Sequence, residues 1–236
     1  MLVRQESQEF IERLWRSGVS NILLREKAYE IIKERIINNT YEMGEMLSEN
    51  ALVQSLGMSR TPIRSALSLL DKEGLVKIVP QKGAIVVGMT VDEARDIFDL
   101  RIALESYVAD QLAGALGEED IRHLQNILRE QEDAAKSGDA VAFVHQDFNF
   151  HLFLFAKHNN KRMIDIMRNL RDRMIQCGAK ALSDEERFNQ TLSEHYAVMR
   201  ALVNPAENQP GLMMRKHLEN GRARFLNHAG RSVADV

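Results

Sequence analysis

Cysteine, proline and long apolar runs are all scarce in this chain of 236 residues. It contains one cysteine and four prolines. A single cysteine excludes a disulfide framework and a cysteine-based zinc cluster, and it suits a reducing compartment such as the cytoplasm. No uninterrupted apolar run approaches the roughly 18 residues that span a bilayer, so we expect no membrane partner. The charges within MLVRQESQEFIERLW also exclude the apolar core of a signal peptide.

Basic side chains are not in excess over the whole chain, which carries a formal net charge of −3. The acidic excess lies entirely in the second part. Residues 20–90 hold nine basic and eight acidic side chains, whereas residues 91–236 hold nineteen and twenty-three. The average charge can therefore hide a basic patch in the first part. This shift indicates two domains, which we place at 20–88 and 91–230, after an N-terminal extension of residues 1–19.

The composition and the spacing of apolar residues predict a mostly α-helical protein, since Leu, Ile, Ala and Met are common. Residues 20–88 have the pattern of three helices followed by two short β-branched strands. Residues 91–230 have the pattern of six antiparallel helices with short connections, near 91–115, 118–136, 139–158, 160–181, 184–203 and 210–229. The predicted architecture is a winged helix-turn-helix followed by an all-helical bundle.

Two short predicted helices meet at a glycine turn in the first domain. Ser48 can cap the first helix, and Gly57 is placed to end it in a left-handed turn. Ser59 can cap the second helix, and Pro62 falls in its first turn, where a missing N–H does no harm. This arrangement is typical of a helix-turn-helix.

The second of these helices would expose side chains that suit the major groove of DNA. Arg60 and Arg64 can each donate a fork to guanine O6 and N7, and Thr61 can reach a base edge or a phosphate. Lys82, at the tip of the following hairpin, would lie near a phosphate or the minor groove. A solvated helix with two surface arginines is the alternative, but the caps, the turn and the basic hairpin together favour DNA binding.

The stretch LSENALVQSLGMSRTPIRSALSLLDKEGLVKIVPQKGAIV resembles the winged helix-turn-helix of the GntR family of bacterial transcription regulators. The run SRTPIRSAL…EGLV…KGA is its most specific part. The resemblance implies DNA contacts from Arg60, Thr61, Arg64 and the wing glycine Gly83. Members often carry an arginine where this chain has Asn50, a departure that bears on the operator sequence. Two-fold operators require two readers, so a homodimer on a short palindrome of double-stranded DNA is implied.

Three histidines and an aspartate fall on apolar faces of three helices predicted in the second domain. Asp147 and His151 are four residues apart and share a face with Phe148. His195 and His217 lie on the apolar stripes of two later helices. Such a set suits a transition-metal site with open coordination positions. Separate core histidines with backbone partners are the simpler interpretation of these residues alone.

A guanidinium also falls on a buried face, because Arg101 lies on the stripe that contains Ile97 and Val108. Glu105, four residues on, offers a simple intrahelical ion pair. The alternative is a buried cation that is held for an anionic ligand, because an unpaired buried charge is costly.

Both features resemble the FCD domain, the all-helical ligand domain of the FadR-like subgroup of the GntR family. The resemblance is carried by TVDEARDIFDLRIALES, DFNFH, SEHYAVMRAL and RKHLE. It implies that a divalent transition metal is bound, zinc foremost or else nickel, manganese or iron, by Asp147, His151, His195 and His217. It also implies that Arg101 binds a small carboxylate effector, for which we expect dicarboxylates or hydroxy acids rather than fatty chains.

The sequence therefore predicts a sequence-specific DNA-binding regulator, a repressor controlled by a small carboxylate, and not an enzyme. A metalloenzyme is the main alternative, because three histidines and a carboxylate also serve hydrolases and oxygenases. That alternative gives Arg60 and Lys82 no role and lacks a general base at a suggestive spacing. A helical adaptor protein would require both patterns to be coincidental.

Overall fold

The computed structural model of the protein describes residues 22–181, 185–206 and 208–234. The predicted N-terminal extension 1–19 lies outside these residues. The chain divides into two compact units after Gly88. Helices dominate both units, and the only sheet among the described residues is small and antiparallel. The predicted fold class, a winged helix-turn-helix followed by a helical bundle, is confirmed.

The first unit combines three helices with a three-stranded sheet. Helix α1 covers residues 22–37. It is followed by β1 (Met46–Ser48), α2 (Glu49–Leu56), α3 (Arg60–Lys72), β2 (Val76–Val79) and β3 (Gly83–Val86). The strand order is β1-β3-β2, and both pairings are antiparallel. The sequence predicted β2 and β3 but not β1, which is too short to show an alternating pattern.

The turn between α2 and α3 forms largely as the residue types predict. Ser48 Oγ accepts a hydrogen bond from the Ala51 N–H at 3.2 Å, which satisfies one of the free donors at the start of α2. Gly57 ends α2 in the left-handed conformation, with φ at 63°. Ser59 occupies the capping position of α3, but its side chain makes no capping hydrogen bond. The position of Ser59 is therefore as predicted, and the expected bond is not formed.

The core of the first unit lies between the three helices and one face of the sheet. Helix α3 contributes every third or fourth residue to it, and β1 contributes Leu47. Its largest fully buried side chains are Ile32, Ile36, Ile63, Leu70 and Leu75. Because these side chains fix the inner face of α3, the opposite face and the N-terminus of that helix are left exposed.

The second unit is a bundle of six helices among the described residues. They are α4 (Val91–Gln111), α5 (Glu118–Ser137), α6 (Ala140–His158), α7 (Lys161–Ala181), α8 (Glu185–Val203) and α9 (Pro210–Ala234). Each begins within about two residues of its predicted start. In the part of the chain that the structure describes, no helix is both long and apolar enough to cross a membrane.

Capping interactions fix the register of the bundle. Thr90 Oγ1 accepts from the Glu93 N–H at 3.1 Å, and Glu93 Oε2 accepts from the Thr90 N–H at 3.4 Å, so a capping box begins α4. Arg173 on α7 donates to both carboxylate oxygens of Glu93, at 2.8 and 2.5 Å. Asp139 Oδ1 accepts from the Ala142 N–H at 2.9 Å and begins α6. These contacts hold α4, α6 and α7, which carry residues of the site described next.

Candidate metal centre and nucleic-acid interface

Four side chains that can bind a metal converge inside the helical bundle. Asp147 and His151 come from α6, His195 from α8 and His217 from α9. His151 and His195 are fully buried, and His217 is 5% exposed. One ligand atom of each of the four residues lies within 4.8 Å of those of the others. The four residues named from the sequence are therefore brought together.

The spacing of the imidazole nitrogens fits a shared metal ion. His217 Nε2 lies 3.2 Å from His195 Nε2 and 3.3 Å from His151 Nε2. Two nitrogens bound to one ion at about 2.1 Å would be roughly 3.0 Å apart at a right angle and about 3.4 Å apart at a tetrahedral angle. The observed distances fall between these values. Asp147 supplies oxygens 3.4 Å from His195 Nε2 and 3.8 Å from His151 Nε2.

The other ring nitrogen of each histidine faces an acceptor. His195 Nδ1 lies 2.9 Å from Gln131 Oε1, and His217 Nδ1 lies 2.8 Å from Glu194 Oε2. His151 Nδ1 lies 2.5 Å from Glu105 Oε2.

Such acceptors favour the tautomer that carries its proton on Nδ1. All three Nε2 lone pairs are then directed at the centre of the cluster, which is the arrangement that a metal ion requires.

Burial supports neutral His195 and His217 in the cluster. Burial lowers the pKa of His195 well below its usual value, and nearby His217 and His151 lower it further. Burial also lowers the pKa of His217, although its bond to Glu194 opposes this. Burial works to raise the pKa of Glu105, but Arg101 and His151 outweigh it and bring that pKa to about 2. Both Glu105 and Glu194, whose pKa is also about 2, are therefore anions at neutral pH.

Arg101 lies beside this cluster on α4 and is only 4% exposed. Its Nε donates to Glu105 Oε1 at 2.6 Å, so the intrahelical ion pair weighed from the sequence does form. The guanidinium carbon is 5.8 Å from the centre of the Phe98 ring. Among the described residues, the two terminal nitrogens of Arg101 have no hydrogen-bond partner. The ion pair and a role toward an anion are therefore compatible, because they use different nitrogens.

A cavity of about 60 Å³ adjoins the cluster. Asp147, His217 and Arg101 line it together with Thr191 and Arg224. Much of the remaining wall is apolar and comes from α4, α6, α7 and α9. The cavity thus places a buried arginine and two of the candidate metal ligands, Asp147 and His217, around one small space.

Four residues of this site were not foreseen as part of it. Glu105 was weighed only as the ion-pair partner of Arg101, whereas Gln131, Glu194 and Arg224 were not considered. The sequence did contain a signal for Gln131, because this polar residue falls on the apolar stripe of α5. In the structure Gln131 is fully buried. The sequence contained no such signal for Glu194 and Arg224. Their pairing across α8 and α9, at 3.2 and 2.9 Å, follows from the packing of the two helices.

The residues predicted to bind DNA lie on the surface of the first unit. Arg60, Thr61 and Arg64 are exposed in the first two turns of α3, and Lys82 is exposed in the turn between β2 and β3. The exposed side chains leave a nucleic acid free access to the N-terminus of α3. That geometry is the one in which a recognition helix enters the major groove.

Both arginines of this surface donate hydrogen bonds to residues of helix α2. Arg64 Nε donates to Glu49 Oε1 at 2.8 Å, and Arg60 Nη2 donates to Asn50 Oδ1 at 3.0 Å. The hydrogen bond from Arg64 is the main cause that lowers the pKa of Glu49. Asn50, the position that departs from the family pattern, therefore contacts Arg60. Neither contact was predicted, since each joins residues at least ten positions apart.

Gly83, the fifth residue of the predicted DNA interface, is buried at the start of β3. Its φ is 133°, and a Cβ at this position would lie 2.0 Å from the carbonyl oxygen of Leu47. Glycine is therefore required for β3 to pair closely with β1. The geometry explains why glycine stands here without reference to DNA, and a backbone contact from Gly83 to DNA stays a prediction.

Comparison with known families covers both units. The profile of the bacterial regulatory proteins of the gntR family matches residues 24–86, and that of the FCD domain matches residues 96–220. The chain belongs to the GntR family of bacterial regulatory proteins. It is an FCD-containing member that carries the DNA-binding domain of the family. Proteins of this family are transcriptional regulators and not enzymes, so the metalloenzyme alternative is set aside.

Curated relatives of this GntR-family chain include several named regulators. The gluconate operon transcriptional repressor of Bacillus licheniformis is 31% identical over 72% of each chain. The protein of the same name from Bacillus subtilis (strain 168) is 29% identical over 74% of this chain and 73% of its own. The HTH-type transcriptional repressor RspR of Escherichia coli (strain K12) is 26% identical over 83% of this chain and 86% of its own.

Solved structures share the fold. A GntR transcriptional regulator from Rhodococcus sp. RHA1 matches with a TM-score of 0.74 and 22% identity, over 86% of this chain and 97% of its own. The McbR/YncC protein of Escherichia coli matches with a TM-score of 0.70 and 18% identity, over the same shares of the two chains. At these identities the likeness extends to the fold alone.

Proposed function

We propose that this GntR-family regulator is a repressor whose helical domain binds a divalent transition metal and a small carboxylate. The observation that carries the proposal is the convergence of three histidine Nε2 atoms and Asp147 beside a cavity that Arg101 lines. The repressor function is supported by the names of its relatives in two Bacillus species and in Escherichia coli. Such a repressor would act on DNA in the cytoplasm.

Asp147, His151, His195 and His217 would hold the metal. Three imidazole nitrogens and one carboxylate suit zinc, nickel, manganese or iron better than calcium or magnesium, which prefer oxygen ligands. Four protein ligands on a six-coordinate ion would leave two positions open. When bound, the metal supplies a positive centre to which carboxylate oxygens can coordinate.

Arg101 would bind the same carboxylate. Its Nε is engaged by Glu105, which fixes the plane of the guanidinium and leaves the terminal nitrogens to face the ligand. A planar guanidinium matches the two oxygens of a carboxylate, and burial strengthens such a charge-assisted bond. A ligand held by both groups changes DNA affinity only if it binds the two states of the regulator unequally.

We assign DNA binding to residues 20–88, and metal binding, effector binding and dimerisation to residues 91–230. Arg60, Thr61 and Arg64 would contact bases in the major groove, whereas Lys82 and the backbone at Gly83 would contact phosphates. A homodimer would present two such surfaces to a short palindromic operator. Gluconate is a natural test compound, because two relatives are named for a gluconate operon.

A gel-shift titration on the protein's own promoter DNA tests the proposal. Extensively purified protein is first analysed for metal and then titrated with and without zinc and a panel of hydroxy and dicarboxylic acids. We expect stoichiometric metal and release of DNA by at least one acid, and only when metal is bound. Protein that holds no metal, gains no thermal stability from any added metal and ignores every acid would refute the metal and effector assignments.

Arg101→Ala separates the two roles of the helical domain. The variant keeps all four candidate ligands, so we expect it to retain metal and to bind DNA as tightly as the wild type. It should lose the response to the acid, because the guanidinium that faces the ligand is gone. A variant that still releases DNA at the wild-type concentration of acid would show that Arg101 does not bind the effector.

A further inference from the structure

Polar and apolar residues of the same helices line the cavity in the helical domain. On α9 the lining runs from His217 through Gly221 to Phe225, a span of eight residues or about 12 Å along the helix axis. On α4 it includes Arg101 and Phe98, and on α6 Asp147 and Val144. Each of these three helices therefore contributes a candidate ligand or cation and also an apolar side chain to one cavity.

We call the part of the cavity wall formed by six of its described residues the tail cleft. It is lined by Phe98, Val144, Met174, Gly178, Gly221 and Phe225. The rings of Phe98 and Phe225 are in contact, with centroids 6.3 Å apart. A Cβ at Gly221 would lie 3.3 Å from Phe98 Cε1, and one at Gly178 would lie 3.0 Å from Val144 Cγ1. The two glycines therefore allow Val144 and Phe98 to pack closely, and alanine at either position would press on these walls.

The tail cleft offers little to a polar group. None of its six described lining residues carries a charged or hydrogen-bonding side chain. Arg224 is the nearest further cation along α9, but both of its terminal nitrogens donate to Glu194, at 3.2 and 2.9 Å. Its Nε and the Thr191 hydroxyl, both buried and without a partner among the described residues, are the uncommitted polar groups outside the proposed head site. A hydroxyl or second carboxylate placed among these side chains would lose its water without a matching set of partners.

The size of the cavity limits the apolar part of the ligand. A buried water needs roughly 10–15 Å³ of such volume, so a cavity of about 60 Å³ holds the equivalent of four to six water molecules. That is room for a chelating head and a tail of only a few carbon atoms. A long acyl chain does not fit.

We propose that the effector is a 2-hydroxy carboxylate with a short apolar tail, and not a polyhydroxylated sugar acid or a dicarboxylate. The inference rests on the proposed function, since the head is taken to bind the metal and Arg101. The sequence left both dicarboxylates and hydroxy acids as expected effectors, and this inference keeps only hydroxy acids with an apolar tail. The tail packs against Phe98, Phe225 and Val144, and the two glycines set its width.

Calorimetric titration of the zinc-loaded protein with a series of 2-hydroxy acids tests the tail, because the chelating group stays the same and only the tail changes. The series is glycolate, lactate, 2-hydroxyisovalerate and mandelate, with gluconate and malate as the polar counterparts. Each buried methylene should tighten binding about four-fold, so 2-hydroxyisovalerate should bind at least ten-fold more tightly than lactate. Gluconate and malate should bind at least ten-fold more weakly than 2-hydroxyisovalerate.

Gly221→Ala places a methyl group against Phe98 and shifts this wall of the tail cleft. Alanine also favours the helix more than glycine does, which offsets the tight contact. We expect the preference for 2-hydroxyisovalerate over glycolate to fall at least five-fold, while binding of zinc and glycolate is unchanged. Gly117→Ala at the start of α5 is the matched control, because its Cβ would meet only the Asp120 carboxylate, at 4.0 Å. The control should leave the whole series as it is in the wild type.

The outcomes distinguish a failure of the proposed function from a failure of the tail assignment. If no acid of the series binds, glycolate included, the proposed function fails and the tail cleft with it. If glycolate and lactate bind but gluconate or malate binds more tightly than 2-hydroxyisovalerate, the metal and Arg101 are correctly assigned and the apolar tail is wrong. A Gly221→Ala variant with an unchanged preference would also overturn the tail assignment.

Discussion

Replacing Gln131 by leucine tests whether its contact with His195 prepares that histidine for a metal. Both side chains are fully buried, and Gln131 Oε1 lies 2.9 Å from His195 Nδ1. Leucine has nearly the same size but cannot accept a hydrogen bond. In the metal-bound protein Nε2 is engaged by the ion, so the proton must stay on Nδ1 and would be left buried without an acceptor.

The expected magnitude differs between the metal-bound and the metal-free protein. An unsatisfied buried donor costs about 1–3 kcal/mol, which corresponds to roughly a 5- to 150-fold loss of metal affinity. Without metal, the His195 proton can move to Nε2, 3.2 Å from His217 Nε2, and avoid this cost. Gln131 Nε2 also has no hydrogen-bond partner among the described residues, so leucine removes one unsatisfied donor. We therefore expect the stability of the metal-free variant to stay within about 1 kcal/mol of the wild type.

Competition with a chelator of known affinity measures the zinc dissociation constant, and urea unfolding of the chelator-treated protein measures stability. Ser106→Ala is the control, because the Ser106 hydroxyl is also buried without a partner among the described residues but holds none of the histidines. Its zinc affinity should match the wild type. An unchanged zinc affinity in folded Gln131→Leu, or a loss of stability as large without metal as with it, would contradict the reasoning.

Three further predictions concern the first unit. Arg64→Ala should weaken binding to the cognate operator by about 1–3 kcal/mol and reduce the preference for its bases, whereas Lys82→Ala should weaken binding to all sequences and lower the slope of log affinity against log salt by about one unit. Gel shifts at several salt concentrations on cognate and scrambled DNA distinguish the two variants. Identical behaviour of both would refute the assignment. Glu49→Gln should raise affinity for scrambled DNA, because a negative charge near the phosphates is lost, while the ratio of cognate to scrambled affinity falls because Arg64 loses its ionic partner. The same gel shifts measure this ratio, and a rise in it would count against orientation by Glu49. Gly83→Ala should lower the unfolding free energy of the first unit by at least about 2 kcal/mol, because the φ of 133° at Gly83 and the nearby Leu47 carbonyl both exclude a side chain. A thermal unfolding midpoint equal to that of the wild type would contradict this.

The helices and the buried positions of the candidate metal ligands could be predicted from the sequence because both depend on local spacing. A repeat of three to four residues marks a buried helical face, and His151, His195 and His217 stand on such faces together with ordinary core residues. Their convergence became an expectation only through the resemblance to the FCD domain. Spacing alone left the interpretation of separate core histidines open.

What the sequence did not predict depends on contacts between distant residues. Gln131 and His195 are 64 positions apart, and Glu194 meets Arg224 across 30. Strand β1 has only three residues and exists because β3 pairs with it, a contact that Gly83 makes possible. Such partners are chosen by how the helices and strands pack, and no local pattern encodes that choice.

The ion pairs around the cavity make its charge depend on the metal. Arg101 with Glu105 and Arg224 with Glu194 are each neutral as pairs, and burial keeps His195 and His217 uncharged. A divalent cation would bring two positive charges to a set of ligands that contains a single carboxylate, that of Asp147. An anion is therefore attracted more strongly when the cation is bound than when it is absent. The regulator would therefore act as a coincidence detector, which answers to its metabolite only in a cell that also supplies the metal.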